Sequence, residues 1–259
     1  MEQLTAADGT ITGARAGAGE DIVILHSLLC DRMAFDAVLP RLSKRHRVTL
    51  INLPGFHGSR SVAATVEAYT DFIARAFQEF QIASGAVLMG NGFGGTLALA
   101  FAHAFPATVS KLIIADSAAA FPSAGQQAFL TMARMVQSGG MGAIASVAAR
   151  RVYHDSYIDQ HPEVIDERRA ALLEVEPEAF LAACEILATC DLTPLLASIS
   201  KPTLVVYGSQ DQATPPQLNN IIARSMPNAR AIEIENCGHC PPLEMPERFL
   251  SVLQGFIDL

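Results

Sequence analysis

The chain has 259 residues, of which 50% are hydrophobic, so it can bury a substantial core as one large α/β domain or two small ones. Its formal net charge of −8 argues against a nucleic acid or an anionic membrane surface as a partner. Five scattered cysteines are a poor disulfide framework, and the N-terminal residues lack the pattern of a signal peptide. Together these features predict a cytoplasmic protein.

Apolar runs separated by turn residues predict alternating strands and helices along most of the chain. In chain order they indicate a hairpin over 9–19, strands at 21–26, 48–53, 86–89, 112–116, 203–207 and 231–234, and a helix over 66–80. Such alternation is typical of an α/β fold with a doubly wound, mostly parallel sheet. The segment 121–196 has helical periodicity and no convincing strand. We interpret it as a helical cap inserted into a core of residues 1–120 and 197–259, placed to shape a substrate pocket.

The strand at 86–89 runs directly into the glycine-rich segment Gly90–Gly95, and a helical stretch follows. A strand, a tight turn and a helix in this order form a nucleophile elbow when the turn reads G-x-S-x-G. Here the central position is Gly92, which has no side chain that could attack a substrate. The segment therefore predicts the geometry of a nucleophile site without its nucleophile.

Two later strands are also followed by residues that could act in catalysis. Asp211 lies in the turn after the strand at 203–207, and His239 lies just after the strand at 231–234. Loops at the carboxyl ends of parallel strands are where open α/β sheets bind ligands. The chain order is thus nucleophile position, acid and histidine.

These segments, together with 54–59 (PGFHGS), resemble the alpha/beta-hydrolase superfamily over nearly the whole chain, although His57 stands where a glycine is usual. Within it, the chain is similar to small esterases, enol-lactonases and carbon–carbon-bond hydrolases. The resemblance implies hydrolysis of an ester, a lactone or a vinylogous diketone. In that reading Gly92 holds the nucleophile position, Asp211 orients His239, and His239 is the general base. The backbone N–H groups of Leu28 and Phe93 would form the oxyanion hole.

Other residue types were weighed against these roles. Asp116, at the end of another predicted strand, is the substitute candidate for the acid, and His26 fits a turn-supporting residue better than a base. Ser27 and Cys30 are near the oxyanion turn, but neither lies at the elbow, so neither is favoured as a replacement nucleophile. Cys237 and Cys240 form a C-x-x-C sequence, but two prolines follow it where a redox motif needs a helix.

Gly92 leaves three interpretations open. The chain could be an inactivated variant of an ordinary serine hydrolase, since the backbone donors of the oxyanion hole do not depend on the side chain at residue 92. It could be a natural enzyme in which Asp211 and His239 activate water or act as acid and base on the substrate. It could also be a binding protein that retains the pocket without catalysis.

No cofactor or metal is expected, because the sequence has neither a dinucleotide fingerprint nor a zinc-type spacing of Cys and His. The expected partner is a small apolar molecule that contains a carbonyl group, and neither nucleic acid nor a membrane is expected. The sequence leaves a homodimer open.

Overall fold

The computed structural model describes residues 1–259. The fold contains eight strands, which are β1 (Glu2–Thr5), β2 (Thr12–Ala16), β3 (Glu20–Leu25), β4 (His46–Ile51), β5 (Ala86–Asn91), β6 (Val109–Ala115), β7 (Thr203–Gly208) and β8 (Ala229–Ile234).

Eleven α-helices and three short 3-10 segments connect and cover these strands. The helices are α1 (Leu39–Leu42), α2 (Val66–Glu79), α3 (Phe93–Ala104), α4 (Ser123–Gly139), α5 (Ala145–Arg150), α6 (Asp155–Gln160), α7 (Glu163–Leu173), α8 (Pro177–Thr189), α9 (Pro216–Ser225), α10 (Pro241–Glu244) and α11 (Pro246–Leu253). The 3-10 segments are Arg32–Phe35, Met141–Ala143 and Thr193–Ser198.

All eight strands form one sheet in the order β1-β2-β4-β3-β5-β6-β7-β8. The pairs β1–β2 and β2–β4 are antiparallel, and every other neighbouring pair is parallel. The prediction of a doubly wound, mostly parallel sheet is therefore confirmed. This order also makes β3 and β5 direct neighbours, so the turns that follow these two strands lie side by side.

Burial of the central strands explains why they read as apolar runs in the sequence. All six residues of β5 and all six of β7 are buried, as expected for parallel strands covered by helices on both faces. Helix α3 packs against β3, β5 and β6 and buries ten residues, so it too is apolar around most of its circumference. The sheet edge formed by β1 is largely exposed.

The helical segment between β6 and β7 contains α4 to α8, in which α4 packs on α8 and α5 packs on α7. Its two ends meet at the base, where Ala120 pairs with Asp191 in an isolated antiparallel bridge. The Leu192 N–H also donates to the Ala119 carbonyl at 2.8 Å. We call residues 121–196 the helical insert.

Three local predictions from the sequence were wrong. The hairpin was expected over 9–19, but β1 begins at Glu2 and the tip lies between Thr5 and Thr12. Helices α6 and α9 were missed. Helix α9 begins at the second of two consecutive prolines, and α6 has only six residues, too few for a helical period to stand out.

No helix combines the length and the apolar character that crossing a membrane requires. All five cysteines are free thiols.

Candidate active site

The turn after β5 has the backbone geometry expected of a nucleophile elbow. Gly92 has φ of 55° and ψ of −119°, a conformation that side-chain-bearing residues adopt only under strain. Its N–H donates to the Ala115 carbonyl at 2.9 Å. A Cβ at Gly94 would lie 2.2 Å from the Leu25 carbonyl oxygen, so only glycine lets α3 approach β3 this closely. The turn therefore depends on glycine both for its conformation and for its packing.

The turns after β7 and β8 bring Asp211 and His239 into contact. His239 Nδ1 donates to Asp211 Oδ2 at 2.9 Å, and both side chains are almost fully buried. The other carboxylate oxygen of Asp211 accepts the Ala213 and Thr214 N–H groups at 2.7 and 3.1 Å. The Thr214 hydroxyl also donates a hydrogen bond to Asp211 Oδ2, at 2.5 Å. The carboxylate is thus held in one orientation, with His239 Nε2 on the far side of the ring.

The surroundings of this pair favour its charged form. Burial alone would raise the pKa of Asp211, but the His239 charge and the hydrogen bonds to the carboxylate outweigh it and lower the pKa to about 2. Burial likewise works to lower the pKa of His239, yet the nearby Asp211 carboxylate raises it above its ordinary value. Asp211 is therefore ionised at neutral pH, and His239 gains basicity from it.

Three further contacts fix the His239 backbone. The His239 N–H donates to the Val152 carbonyl in the helical insert at 2.9 Å. The Asn91 side chain, at the end of β5, donates to the His239 carbonyl at 3.1 Å. Glu244 accepts the N–H of Gly238 at 2.8 Å, and burial raises the pKa of this carboxyl to about 7. The position of the imidazole is therefore set jointly by the sheet and by the insert.

Asp116, the substitute candidate for the acid, lies behind Asp211 and has no hydrogen bond to the imidazole. Its Oδ1 atom accepts the Gly208 N–H at 2.9 Å. Complete burial, together with the Asp211 charge, raises its pKa well above its ordinary value. Burial and the neighbouring Asp211 carboxylate therefore both favour the neutral form of Asp116.

The turn after β3 places a hydroxyl group against the open face of His239. Ser27 Oγ lies 3.2 Å from His239 Nε2, and this is its one hydrogen bond within the chain. His26, just before it, uses both ring nitrogens: Nδ1 donates to the Ser27 carbonyl at 3.0 Å, and Nε2 accepts the Leu53 N–H at 3.0 Å. Burial lowers the pKa of His26 to about 4, so it is neutral and holds the turn.

The Ser27 hydroxyl occupies the space beside Gly92. A Cβ built on Gly92 would lie 2.3 Å from Ser27 Oγ and 2.9 Å from His239 Nε2. Any side chain at residue 92 and the present position of the Ser27 hydroxyl therefore exclude one another. The volume that an elbow serine would use is filled from the neighbouring strand.

A small cavity of about 30 Å³ opens on this contact, large enough for one or two water molecules. Apolar side chains of the helical insert form part of its wall, and the residues around it are Ser27, Leu28, Leu29, Gly92, Phe93, Phe121, Phe129, Leu187, Thr214 and His239. The Leu28 N–H has no hydrogen-bond acceptor within the chain. Phe93 is the first residue of α3, where the N–H has no acceptor inside the helix. The cavity therefore offers two backbone donors next to a hydroxyl and an imidazole.

The cysteines lie outside this cavity. Cys30 is buried, and its interaction with the neighbouring Cys240 thiol lowers its pKa. Burial raises the pKa of both Cys237 and Cys240, as it does for thiols in apolar surroundings. No group of three or more His, Cys, Asp or Glu side chains is arranged to hold a metal ion.

The structure thus gathers all five residues expected at the site, Leu28, Gly92, Phe93, Asp211 and His239, around one cavity or in contact with a residue that lines it. Sequence reasoning considered Ser27 and set it aside. The signal for Ser27 was its position directly after β3, the strand that pairs with the elbow strand. Thr214 and Asn91 were not considered, and nothing in their local sequence separates them from ordinary loop and strand residues.

The profile of the Alpha/beta hydrolase family matches residues 22–252, and this chain belongs to that family. An esterase from Thermogutta terrifontis, solved with malate bound, superimposes with a TM-score of 0.88 at 30% identity. That alignment covers 99% of this chain and 98% of the esterase. The enol-lactonase from Burkholderia xenovorans LB400 shares the fold at a TM-score of 0.90 with 22% identity, over 98% of each chain.

Two characterised relatives are similar in sequence. The pimeloyl-[acyl-carrier protein] methyl ester esterase of Nitrosomonas europaea is 26% identical over 91% of this chain and 94% of its own length. The 3-oxoadipate enol-lactonase 2 of Acinetobacter baylyi is 30% identical over 63% of this chain and 60% of its own length.

Proposed function

We propose that this protein hydrolyses small carboxylic esters or lactones, with His239 as general base and Asp211 as the group that orients it. The observation that carries the proposal is the ring orientation of His239. Its Nδ1 atom is committed to Asp211 at 2.9 Å, while Nε2 faces the cavity 3.2 Å from a hydroxyl group. An imidazole held in this way can accept a proton at Nε2 and return it to a leaving group.

The two backbone donors support acyl chemistry in particular. The N–H groups of Leu28 and Phe93 lie at the cavity wall, where they could bind the oxygen that becomes negative when a carbonyl is attacked. The names of the similar proteins agree with this reaction class, since they include two esterases and two enol-lactonases.

The wall of the cavity favours a compact, apolar substrate. Phe121 and Phe129 meet edge to face with ring centroids 4.8 Å apart, and Leu187 lies beside the same cavity. All three come from the helical insert, so the insert acts as a cap that selects the acyl group. A substrate larger than water needs this wall to move.

An intact site explains the geometry better than an inactivated one. If serine were the native residue at 92, its Cβ would lie 2.3 Å from the present position of the Ser27 hydroxyl. Ser27 and Gly92 thus fit each other as they stand. This fit favours glycine as the native residue at 92 over a variant from which a serine has been removed.

The test is hydrolysis of a panel of p-nitrophenyl esters with acyl chains of two to eight carbons, together with γ- and δ-lactones and an enol-lactone. His239→Gln should lower kcat/KM by a factor of about 10³ or more, because it removes the base. His103→Gln, at an exposed histidine hydrogen-bonded to Ser198, is the matched control and should leave turnover unchanged. Absence of turnover across the panel, or turnover that persists in His239→Gln, would contradict the proposal.

A further inference from the structure

The unusual feature of this site is that the hydroxyl group next to His239 lies on the turn after β3 and not on the elbow after β5. In the elbow arrangement the nucleophile stands on the turn after β5, where this chain has Gly92. Here the Ser27 hydroxyl, on the turn after β3, is hydrogen-bonded to His239 Nε2 at 3.2 Å. It has no other partner in the chain, so its orientation is set by the imidazole alone.

We propose that Ser27 is the nucleophile of this enzyme and that it replaces the side chain missing at residue 92. This inference rests on the proposed hydrolase function and assigns the attacking atom within it. The resulting relay is Ser27 Oγ, His239, Asp211, with the two contacts at 3.2 and 2.9 Å. Distances of this kind are those of a serine nucleophile in contact with its base.

The position of the hydroxyl carries the argument. Ser27 Oγ lies 2.3 Å from the point where a Cβ on Gly92 would stand, so it enters the space that an elbow side chain would fill. The imidazole therefore has a hydroxyl oxygen 3.2 Å from Nε2, supplied by the turn after β3 and not by the elbow. His239 can remove the proton of any hydroxyl group that lies at hydrogen-bond distance from Nε2, whichever turn carries that group.

The turn that carries Ser27 is rigid enough to hold a nucleophile. The Ser27 carbonyl accepts hydrogen bonds from His26 Nδ1 at 3.0 Å and from the Cys30 N–H at 3.3 Å. At the end of the same turn, Asp31 accepts the Met33 N–H at 2.9 Å and caps a short helix. Preorganisation of this kind matters because small misplacements of a nucleophile are costly.

The two backbone donors line the same cavity as Ser27. In an elbow, one donor is the N–H of the residue that follows the nucleophile, and the other comes from a neighbouring turn. With Ser27 as the nucleophile, the following residue is Leu28 and the neighbouring donor is Phe93. The same two N–H groups would bind the oxyanion, but Leu28 would be the donor that follows the nucleophile and Phe93 the donor from the neighbouring turn.

Other nucleophilic side chains near the imidazole fit less well. The Thr214 hydroxyl lies 3.3 Å from Nδ1, the nitrogen bound to Asp211, and its own hydrogen bond goes to that carboxylate. The Cys30 thiol is buried and does not line the cavity. Ser117 directs its hydroxyl to the Gly92 and Ala115 carbonyls.

The reaction proceeds in two stages, acylation of Ser27 and hydrolysis of the acyl-Ser27 ester. His239 Nε2 takes the hydroxyl proton as Ser27 Oγ bonds to the acyl carbon, and the carbonyl electron pair moves to the oxyanion. Collapse of this intermediate breaks the bond to the leaving oxygen, which receives the proton from His239. Water then attacks the acyl-Ser27 ester with His239 as base, and Ser27 Oγ leaves and recovers its proton. Ester and water give acid and alcohol, and a lactone gives the hydroxy acid.

The first experiment measures the steady-state kinetics of a Ser27 variant. Ser27→Ala should lower kcat by a factor of about 10³ or more on the esters or lactones that the wild type hydrolyses. The matched control is Ser59→Ala, a serine that is also buried but whose hydroxyl bonds to Thr12 and to the Asn52 carbonyl and has no hydrogen bond to a histidine ring. Its kcat should be unchanged.

The second experiment does not depend on any variant. A fluorophosphonate reacts with an activated serine by forming a phosphorus–oxygen bond and releasing fluoride and a proton. Peptide mapping of the wild type should place the adduct on Ser27, and Ser59→Ala should be labelled to the same extent. Ser27→Ala and His239→Gln should remain unlabelled.

The outcomes separate this inference from the function on which it rests. If Ser27→Ala keeps turnover within about tenfold of the wild type while His239→Gln is inactive, the hydrolase function stands and water is the nucleophile. In that case the assignment of Ser27 as the nucleophile is wrong. An adduct on any residue other than Ser27 overturns it as well. If the wild type hydrolyses nothing but Ser27 is labelled, the reaction class is wrong and the assignment of the nucleophile stands.

Discussion

Two neighbouring turns of the sheet are built on opposite principles. The turn after β3, residues 26–31, is held by side chains: His26 bonds through both ring nitrogens, and Asp31 caps the next helix. The turn after β5, residues 90–95, is held by the lack of side chains, because its glycines let backbone approach backbone. The first turn carries the hydroxyl next to His239, and the second provides the space for it.

This difference shows what a nucleophile site requires physically. The base needs an oxygen at hydrogen-bond distance from Nε2, two N–H donors nearby and an acid at Nδ1. Adjacent parallel strands end at the same edge of the sheet, so more than one turn can deliver that oxygen. We therefore expect substitutions in the turn after β3 to affect the nucleophile, and substitutions in the turn after β5 to affect the space that it occupies.

The largest effect is expected at Asp211, because a nucleophile at residue 27 and one at residue 92 would both depend on the imidazole that it orients. Asp211→Asn should lower kcat by a factor of about 10³ to 10⁴, because an amide does not hold the imidazole in the tautomer that presents a basic Nε2. Steady-state kinetics on the best ester or lactone measure this loss. Asp116→Asn removes a carboxyl group that does not bond to the ring, and it should retain most of the activity. A large loss in Asp116→Asn together with retained activity in Asp211→Asn would instead make Asp116 the acid.

The next effect tests how firmly the β3 turn is anchored. Asp31 lies 3.7 Å from Arg168 of α7, and both side chains are more than 90% buried. Asp31→Asn keeps a capping oxygen but leaves the Arg168 charge buried without its counter-ion. We expect the free energy of unfolding to fall by about 3 to 5 kcal/mol in urea titrations. Asp166→Asn, at an exposed pair with Arg169 on the same helix, is the control and should not change it measurably.

The exchange of the two side chains is the sharpest comparison. Gly92→Ser alone crowds Ser27 and should lower kcat/KM by about 10²-fold, because both hydroxyls are displaced from their best positions. The double variant Ser27→Gly with Gly92→Ser relieves the crowding and restores the elbow arrangement. It should recover most of the loss. A single Gly92→Ser variant more active than the wild type would show that Ser27 is only a substitute partner for the imidazole.

The smallest effect is a shift in pH dependence. The Asp211 carboxylate raises the pKa of His239 against the effect of burial, and the base must be neutral to accept a proton. Activity should therefore rise with pH through a midpoint above 6.5, and Asp211→Asn should move the imidazole titration to lower pH. Nitrogen NMR of the His239 ring measures both values. A wild-type midpoint below 6.5 would contradict the proposed coupling.

The fold could be predicted from local pattern because buried parallel strands impose apolar runs on the sequence. β5 and β7 are buried along their whole length, and both were found. Exposed β1 gave no such signal, and the hairpin was therefore placed too late in the chain. Helix α9 was missed because it begins at the second of two consecutive prolines, a sequence that is typical of a turn or loop.

The site was predictable to the extent that one residue per turn carried a recognisable motif. Gly92, Asp211 and His239 were found in this way. The contact of Ser27 with His239 joins residues 212 positions apart and depends on β3 lying next to β5. Local sequence carries no information on that contact. Only the strand order of the sheet makes Ser27 a neighbour of the elbow.

The mutual exclusion of side chains at residues 27 and 92 also constrains how such a site can evolve. A lineage passing between a hydroxyl at 92 and a hydroxyl at 27 in single substitutions meets one of two intermediates. One has both hydroxyls crowded into a single space, and the other has none. The first strains a working enzyme, and the second abolishes its nucleophile. The two positions are therefore epistatic, and the fitness of either residue is defined only when the other is known.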